Sequence, residues 1–431
     1  MNYYSLNRRS PNVSFKEAAV MGQAPDKGLY FPEKLPRIEA DLVKNIERFP
    51  EAELAFRVIR PYVGDSIPED VLFDIVAQTV NFPFPLQPVT ESIAALELFH
   101  GPTLAFKDVG ARFMSRCLGY FLKDQEKEVT VLVATSGDTG GAVASGFYGV
   151  EGVNVVILYP QGRVSPVQEK QLTAMGKNIV ALEVAGSFDD CQRMVKQAFT
   201  DADIHAKRFL TSANSINVAR WLPQQFYYFF AYKQWKGNAV APVVVVPSGN
   251  FGNICAGLLA RETGLPLGHF IAACNANDVV PAFLQTENWQ PRTTVATLSN
   301  AMDVGDPSNF VRIMELFHQE FPKLKEQLSA VSISDADTIA TIARVYHATG
   351  YTLDPHGAVA YKALEDYQQA HPDGKGFILE TAHPVKFPDA VKQATGTDVE
   401  IPESLQELML QPKQAIAMPP DYEAFKAYLI N

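Results

Sequence analysis

Apolar residues along this chain fall into short unbroken runs separated by glycine-rich turns and helix-like stretches. VTVLVAT (129–135), VNVVILYP (153–160), PVVVVPS (242–248) and FIAACN (270–275) are β-branched-rich runs, which predicts buried strands. Between the first two lie SGDTGG and a helical AVASGFYG; between the second two lie GNFGN and a helical ICAGLLARETG. Strand, tight turn, helix, strand is the βαβ unit of a parallel sheet. A further strand, GFILE, precedes ETAHP. Residues 1–82 read instead as mainly helical, broken by APDKGLYFPEKLP and YVGDSIPED. The proline-rich NFPFPLQPV (81–89) cannot continue a helix and sets the first boundary. The expected organisation is therefore an N-terminal helical domain (1–82), an α/β core of two βαβ subdomains (83–390), and a C-terminal loop with one closing helix (391–431).

The same patterning singles out one lysine. If a helix starts near Phe106, then Lys107, Ala111, Met114 and Leu118 share one face, while Asp108, Arg112, Ser115 and Arg116 form a more polar one. Lys107 lies on the apolar stripe and in the first turn, where the helix dipole disfavours a cation. Two readings stand at this point. Its stem can cover apolar surface while the head reaches water, or burial lowers its pKa and leaves a neutral, nucleophilic amine.

Composition narrows the function class. At 431 residues, 47% hydrophobic and 20% charged, the chain is long enough for two or three domains around a large core. A net charge of −11 argues against a nucleic-acid partner and leaves a small-molecule substrate open. Cys117, Cys191, Cys255 and Cys274 are widely spaced without a CxxC, so neither a disulfide framework nor a metal site is signalled. MNYYSLNRRSPNVSF lacks an apolar segment behind its arginines, and no apolar run approaches the ~18 residues of a membrane helix. The expectation is a soluble cytoplasmic protein with no membrane partner.

Both glycine-rich turns lie directly between a strand and a helix, where backbone N–H groups and the helix dipole favour an anion. In SGNFGN (248–253), Gly249 and Gly252 permit close approach and Asn250 and Asn253 add side-chain donors. A turn of this kind can also be purely structural. Neither turn has the GxGxxG spacing of a dinucleotide site, and no carboxylate ends the second strands at Tyr159-Pro160 or Asn275. The chain also lacks GxxxxGK[ST] and GxSxG, which removes nucleoside-triphosphate and hydrolase-elbow readings.

FHGPTLAFKD, ATSGDTG, SANSIN, PSGNFGN, LSNAMDV and TAHPVKF, in that order, together resemble the threonine synthase family. The resemblance covers nearly the whole chain, with Val109 and Ala111 standing where relatives often carry Phe and Gly. It implies a pyridoxal-phosphate enzyme of fold type II, tryptophan-synthase-β-like: parallel βαβ sheets flanked by helices, with a small mainly helical N-terminal domain. It also implies roles. Lys107 would hold the cofactor as a Schiff base and then move substrate protons. Gly249, Asn250, Phe251, Gly252 and Asn253 would cradle the cofactor phosphate, and Thr381 would hydrogen-bond the pyridine nitrogen. Asp138 would lie near the 3-hydroxyl, with Thr135, Ser136 and Thr139 on the substrate carboxylate. Asn214, Ser215 and Asn217 are the expected substrate-phosphate side, with Arg163 and Lys170 as secondary candidates. His100 and His383 read as structural. The implied reaction is γ-elimination from O-phospho-L-homoserine and β-addition of water, the last step of threonine biosynthesis. The alternatives are a related phospho-lyase degrading an O-phospho amino acid, and a non-catalytic ligand-binding relative of the fold.

Overall fold

A computed structural model of the chain describes residues 1–123, 128–238 and 240–431. Its architecture is built on two sheets. One has six strands in the order Leu328–Ser332, Phe270–Cys274, Val243–Pro247, Gly376–Glu380, Ile93–Glu97 and Leu86–Pro88. All neighbours are parallel except the last pair, Ile93–Glu97 and Leu86–Pro88. The second sheet is wholly parallel: Ile416–Met418, Ile179–Val184, Val153–Pro160, Val129–Ala134 and Phe209–Ser212. Val129–Ala134 and Val243–Pro247 are buried along their whole length, because helices cover both faces of a parallel sheet. That is why the unbroken apolar runs mark these strands so closely.

Both glycine-rich turns fall where the chain's connections diverge. Val129–Ala134 is flanked by the strand that follows it, Val153–Pro160, and on the other side by Phe209–Ser212. Val243–Pro247 is likewise flanked by Phe270–Cys274 and Gly376–Glu380. Such switch points open a crevice at the carboxyl ends of the strands, the usual ligand position in open α/β sheets.

The N-terminal segment contains more than helices. Asn2–Ser5, Val13–Ser14 and Tyr30–Pro32 form a small antiparallel sheet, whose strands are too short to show alternation in the sequence. Tyr3 and Phe15 are buried with Phe113 of the Lys107 helix in one core that also takes in Trp221 and Phe226. The C-terminal segment also carries more than one helix. Glu403–Leu410 is helical, and Ile416–Met418 adds an edge strand beside Ile179–Val184. The closing helix Tyr422–Ile430 then buries Phe425 and Leu429 against Leu182, Met194 and Ile204. Because Phe425 is fully buried there, Phe425→Ala is expected to cost about 3–5 kcal/mol. Urea unfolding should show a lower midpoint with an unchanged slope.

Candidate active site

Lys107 is the first residue of the helix Lys107–Leu122, and three backbone links dock its approach onto the strand end at Glu380. The Phe106 amide donates to the Thr381 carbonyl at 2.9 Å, the His383 amide donates to the Leu104 carbonyl at 3.0 Å, and Ala105 bridges Ala382. The Tyr227 hydroxyl donates to the Phe106 carbonyl. Leu104 itself is left-handed, with φ of 55°, a strained state for leucine held by this docking. The sequence thus delivers Lys107 and Thr381 to one place through main-chain bonds.

The electrostatics around Lys107 are lopsided. Burial is the main force pushing its amine down to about 8; Asp138 opposes this, while Lys386 and Arg220 reinforce it. Asp138 begins the helix Asp138–Phe147, and its carboxylate ion-pairs with Lys386 Nζ at 2.7 Å and accepts from Gln168 Nε2 at 2.9 Å. Burial penalises the Asp138 charge, but Lys386 and Lys107 together hold its pKa well below the usual range. Lys386 is fully buried and also donates to the Thr103 carbonyl at 2.7 Å. Arg220 is buried with Nη1 donating to the Ala213 carbonyl at 2.6 Å and Nε without a partner. Burial pushes its guanidinium down to about 10. Lys107, Lys386 and Arg220 therefore gather around Asp138 and the buried Asp108, a basic cluster in which an added anion is favoured.

The expected residues divide into those left free for a ligand and those already engaged. In TSGDTG, the Thr135 hydroxyl accepts from the Gly137 and Gly140 amides at 3.0 and 2.9 Å, closing the turn, while Ser136 and Thr139 remain partly exposed. Asn250 is a brace: its amide group donates to Ser215 Oγ at 2.7 Å and its carbonyl oxygen accepts from the Ser308 amide at 2.7 Å. Ser215 Oγ accepts from both Asn250 and Asn309, which leaves its own hydrogen free to donate. Phe251 is left-handed at φ 62° and starts the helix Gly252–Glu262. In that first turn, buried Asn253 accepts from the Tyr228 hydroxyl at 2.7 Å and keeps an unpartnered Nδ2. Gly249 has no room for a side chain, since a Cβ would stand 2.5 Å from Met302 Cα. Thr381 is buried, and among the described residues its hydroxyl has no protein partner.

Asn217 differs from the expectation. Its amide donates to the Ala19 and Ser212 carbonyls at 2.9 and 3.3 Å, and its oxygen caps the Ala219 amide at 2.9 Å. Both of its N–H donors are spent, so this residue folds the SANSIN loop rather than reaching a ligand. Asn214 is only partly exposed beside it. Arg163 is exposed after Val153–Pro160, and Lys170 ties its helix to the Gln411 carbonyl. Neither joins the cluster. His100 bonds Glu97 at 2.7 Å, and His383 caps the Val385 amide with burial pushing it down to about 4, in keeping with structural roles. Arg220 and Lys386 were missed. Lys386 lies inside TAHPVKF and Arg220 follows SANSIN by three residues, but a lone basic residue carries no burial signal in sequence.

The residues fit pyridoxal phosphate: a low-pKa amine, an orphaned donor at a helix start, and a free hydroxyl held beside the amine. Residues 87–379 match the family model described as pyridoxal-phosphate dependent enzyme, so the fold and site define a fold type II enzyme of that class. Residues 2–80 and 357–429 match the threonine synthase N-terminal and C-terminal models. The chain is 44% identical to the Escherichia coli threonine synthase over the full length of both. It superposes on the Escherichia coli threonine synthase crystal structure with a TM-score of 0.93 over the whole of both chains, at 43% identity. The PLP-bound threonine synthase of Brucella melitensis also gives a TM-score of 0.93, at 34% identity and covering 100% of this chain and 99% of that one. The chain belongs to the threonine synthase family, and its cofactor is pyridoxal phosphate. No described helix is long and apolar enough to cross a membrane, and the four cysteines are free and buried.

Two expectations follow. Gly252→Asp, placing a carboxylate at the start of the helix, should weaken cofactor affinity at least tenfold without unfolding the protein, as read by pyridoxal phosphate titration. Asn217→Ala should lower stability by about 1–3 kcal/mol, through the lost cap and unpaired carbonyls, in chemical unfolding. The KM of folded Asn217→Ala should stay near wild type.

Proposed function

We propose that this enzyme converts O-phospho-L-homoserine and water to L-threonine and phosphate, with Lys107 as the residue that holds the cofactor and moves the protons. The carrying observation is the main-chain docking of the Lys107 segment against Thr381, in a chain that matches threonine synthases over its full length. When bound, pyridoxal phosphate stores the electron pairs left on the substrate carbons. Lys107 takes the Cα proton as a neutral amine, which its pKa of about 8 makes accessible near neutrality. A proton then leaves Cβ, the Cγ–O bond breaks, and phosphate departs with the bonding pair. Cγ gains a proton and becomes the methyl group; water adds its oxygen to Cβ, and Lys107 returns the proton to Cα. Atoms balance, since the water supplies hydroxyl to Cβ and its hydrogen to the departing phosphate.

Two anions on the substrate need two anchors. The Thr135–Gly140 turn supports the carboxylate, through Ser136, Thr139 and the start of the Asp138 helix. Arg220 and the free Ser215 hydrogen support the phosphate, because a buried guanidinium whose Nη1 is engaged and whose Nε lies against Gly110 still gains from an anion at its remaining donors. Thr381 would meet the ring nitrogen, where a hydroxyl, unlike a carboxylate, would not fix a protonated ring. Asn253 and the amides of 249–253 would hold the cofactor phosphate. The free, buried cysteines support a cytoplasmic setting, where thiols stay reduced.

Product analysis tests the reaction: threonine and phosphate should appear in equal amounts, without ammonia or an oxo acid. Borohydride reduction of the holoenzyme should fix the cofactor on Lys107; a label on another lysine overturns that assignment. Because the amine reacts only when neutral, the rate of recombination of cofactor-free protein with pyridoxal phosphate should rise about tenfold per pH unit below pH ~8 and level above it. Arg220→Gln removes a cation near Lys107 and should move that midpoint upward.

A further inference from the structure

The motif LSNAMDV and the residue before Thr381 have no part in the chemistry above, yet one chain of contacts joins them. Glu380 ends the strand Gly376–Glu380, fully buried, and neither carboxyl oxygen has a hydrogen-bond partner. It packs against the start of the helix Pro355–Ala370, where a Cβ on Gly357 would stand only 1.8 Å from Glu380 Oε1. The carboxylate of Asp354 caps that helix, accepting from the His356 and Gly357 amides at 2.8 and 3.3 Å. His356 Nδ1 lies 2.5 Å from Asp354 Oδ1, and its Nε2 accepts from the Ala301 amide at 3.2 Å. A backbone amide can only donate, so the His356 proton sits on Nδ1 and points at Asp354. Ala301 and Met302 belong to the short turn Asn300–Met302, and Met302 is the residue that closes over Gly249. Asp303 anchors the far side of this loop, accepting from Thr297 and Asn275.

A buried carboxyl that faces another carboxylate, with only the Asp354 backbone amide as a weak donor beside it, is most stable carrying its own hydrogen, and that hydrogen then needs an acceptor. We propose that Glu380 is a neutral hydrogen-bond donor to Asp354, a positioning residue that holds the Asp354–His356–Ala301 chain and, through Met302, the cover over the Gly249 turn. The surroundings agree from every side. Burial and then Asp354 push Glu380 well above the ordinary carboxyl range, while Asp354 is held below it, with burial opposed by His356. The neighbouring strand brings Glu97 directly alongside Glu380, but Glu97 is occupied by the Tyr351 hydroxyl at 2.9 Å and by His100 at 2.7 Å. His383 lies beyond His100, and Asp303 faces His356. None of these reaches the Glu380 oxygens. The cofactor arm of the proposal rests on reading 249–253 as the cofactor-phosphate turn; the protonation arm does not.

Glutamine is the isosteric neutral donor, so the full-length protein and its Glu380→Gln variant provide the comparison. Unfolded glutamate ionises above its ordinary pKa, whereas the native residue stays neutral, so raising the pH disfavours folding of the wild type alone. Asp354 is common to both proteins and cancels. The ratio of the two unfolding constants should therefore grow about tenfold per pH unit from about pH 6 to about pH 8, in the variant's favour. Parallel profiles would overturn the proposal. Independently of any variant, infrared spectra of the wild-type holoenzyme at about pH 8 should carry a protonated-carboxyl band that shifts on carbon-13-glutamate labelling; its absence overturns the assignment. Pyridoxal phosphate affinity reads the last link: Glu380→Gln should stay within about twofold of wild type and Glu380→Ala should lose about tenfold. Equal losses in both would remove Glu380 from the chain to the cover. Gly252→Asp tests the turn itself, so failure of that reading is told apart from failure of this one.

Discussion

The buried ion pair between Lys386 and Asp138 is the interaction on which the site depends. It joins the end of the six-stranded sheet, through the segment after Thr381, to the first residue of the helix that follows Val129–Ala134 in the other sheet. A buried pair of this kind gains little net stability over an apolar contact, but removing one partner strands a charge. Its value here is positional and electrostatic. It keeps Asp138 ionised, and Lys386 in turn helps depress the neighbouring Lys107 amine. Arg220 adds a third basic group, influenced by Asp108 and with its Nε unpartnered among the described residues. A cofactor and a substrate that both bear phosphate would bring negative charge to this basic cluster.

Placement follows from the two parallel sheets. Each ligand loop leaves the carboxyl end of a strand, and the two glycine turns occupy the switch points where crevices open. Main-chain bonds then lock the lysine segment to the strand end: Phe106 to Thr381, and His383 to Leu104. A side chain positioned by backbone bonds is held more tightly than one positioned by packing alone, which suits the proton-moving role proposed for Lys107. The left-handed Leu104 and Phe251 mark where the chain bends to achieve this, each directly ahead of a helix that opens on the site. The loop that covers Gly249 is tied at both ends, at Asp303 and at His356.

The sequence by itself determined the central strands of the two parallel sheets, the two glycine turns and the class of chemistry. Doubly buried strands must be apolar throughout, so VTVLVAT and PVVVVPS are visible without a partner strand. Glycine at 249 and the strand–turn–helix order carry their meaning locally. Lys107 on an apolar stripe was legible for the same reason. The tertiary structure decided which polar side chains are free. Asn217 and Asn250 look like ligands in sequence and are engaged as a cap and a brace, whereas Ser215 keeps its hydroxyl hydrogen and Asn253 its whole amide NH2 group. Arg220, Lys386 and Glu380 acquire their character only from what surrounds them. The short strands Val13–Ser14 and Ile416–Met418 likewise exist only because a neighbour supplies the pairing. Periodicity is a property of a segment and survives in the sequence; desolvation and the accounting of hydrogen bonds are properties of the assembled fold, where residues far apart in the chain compete for the same partners.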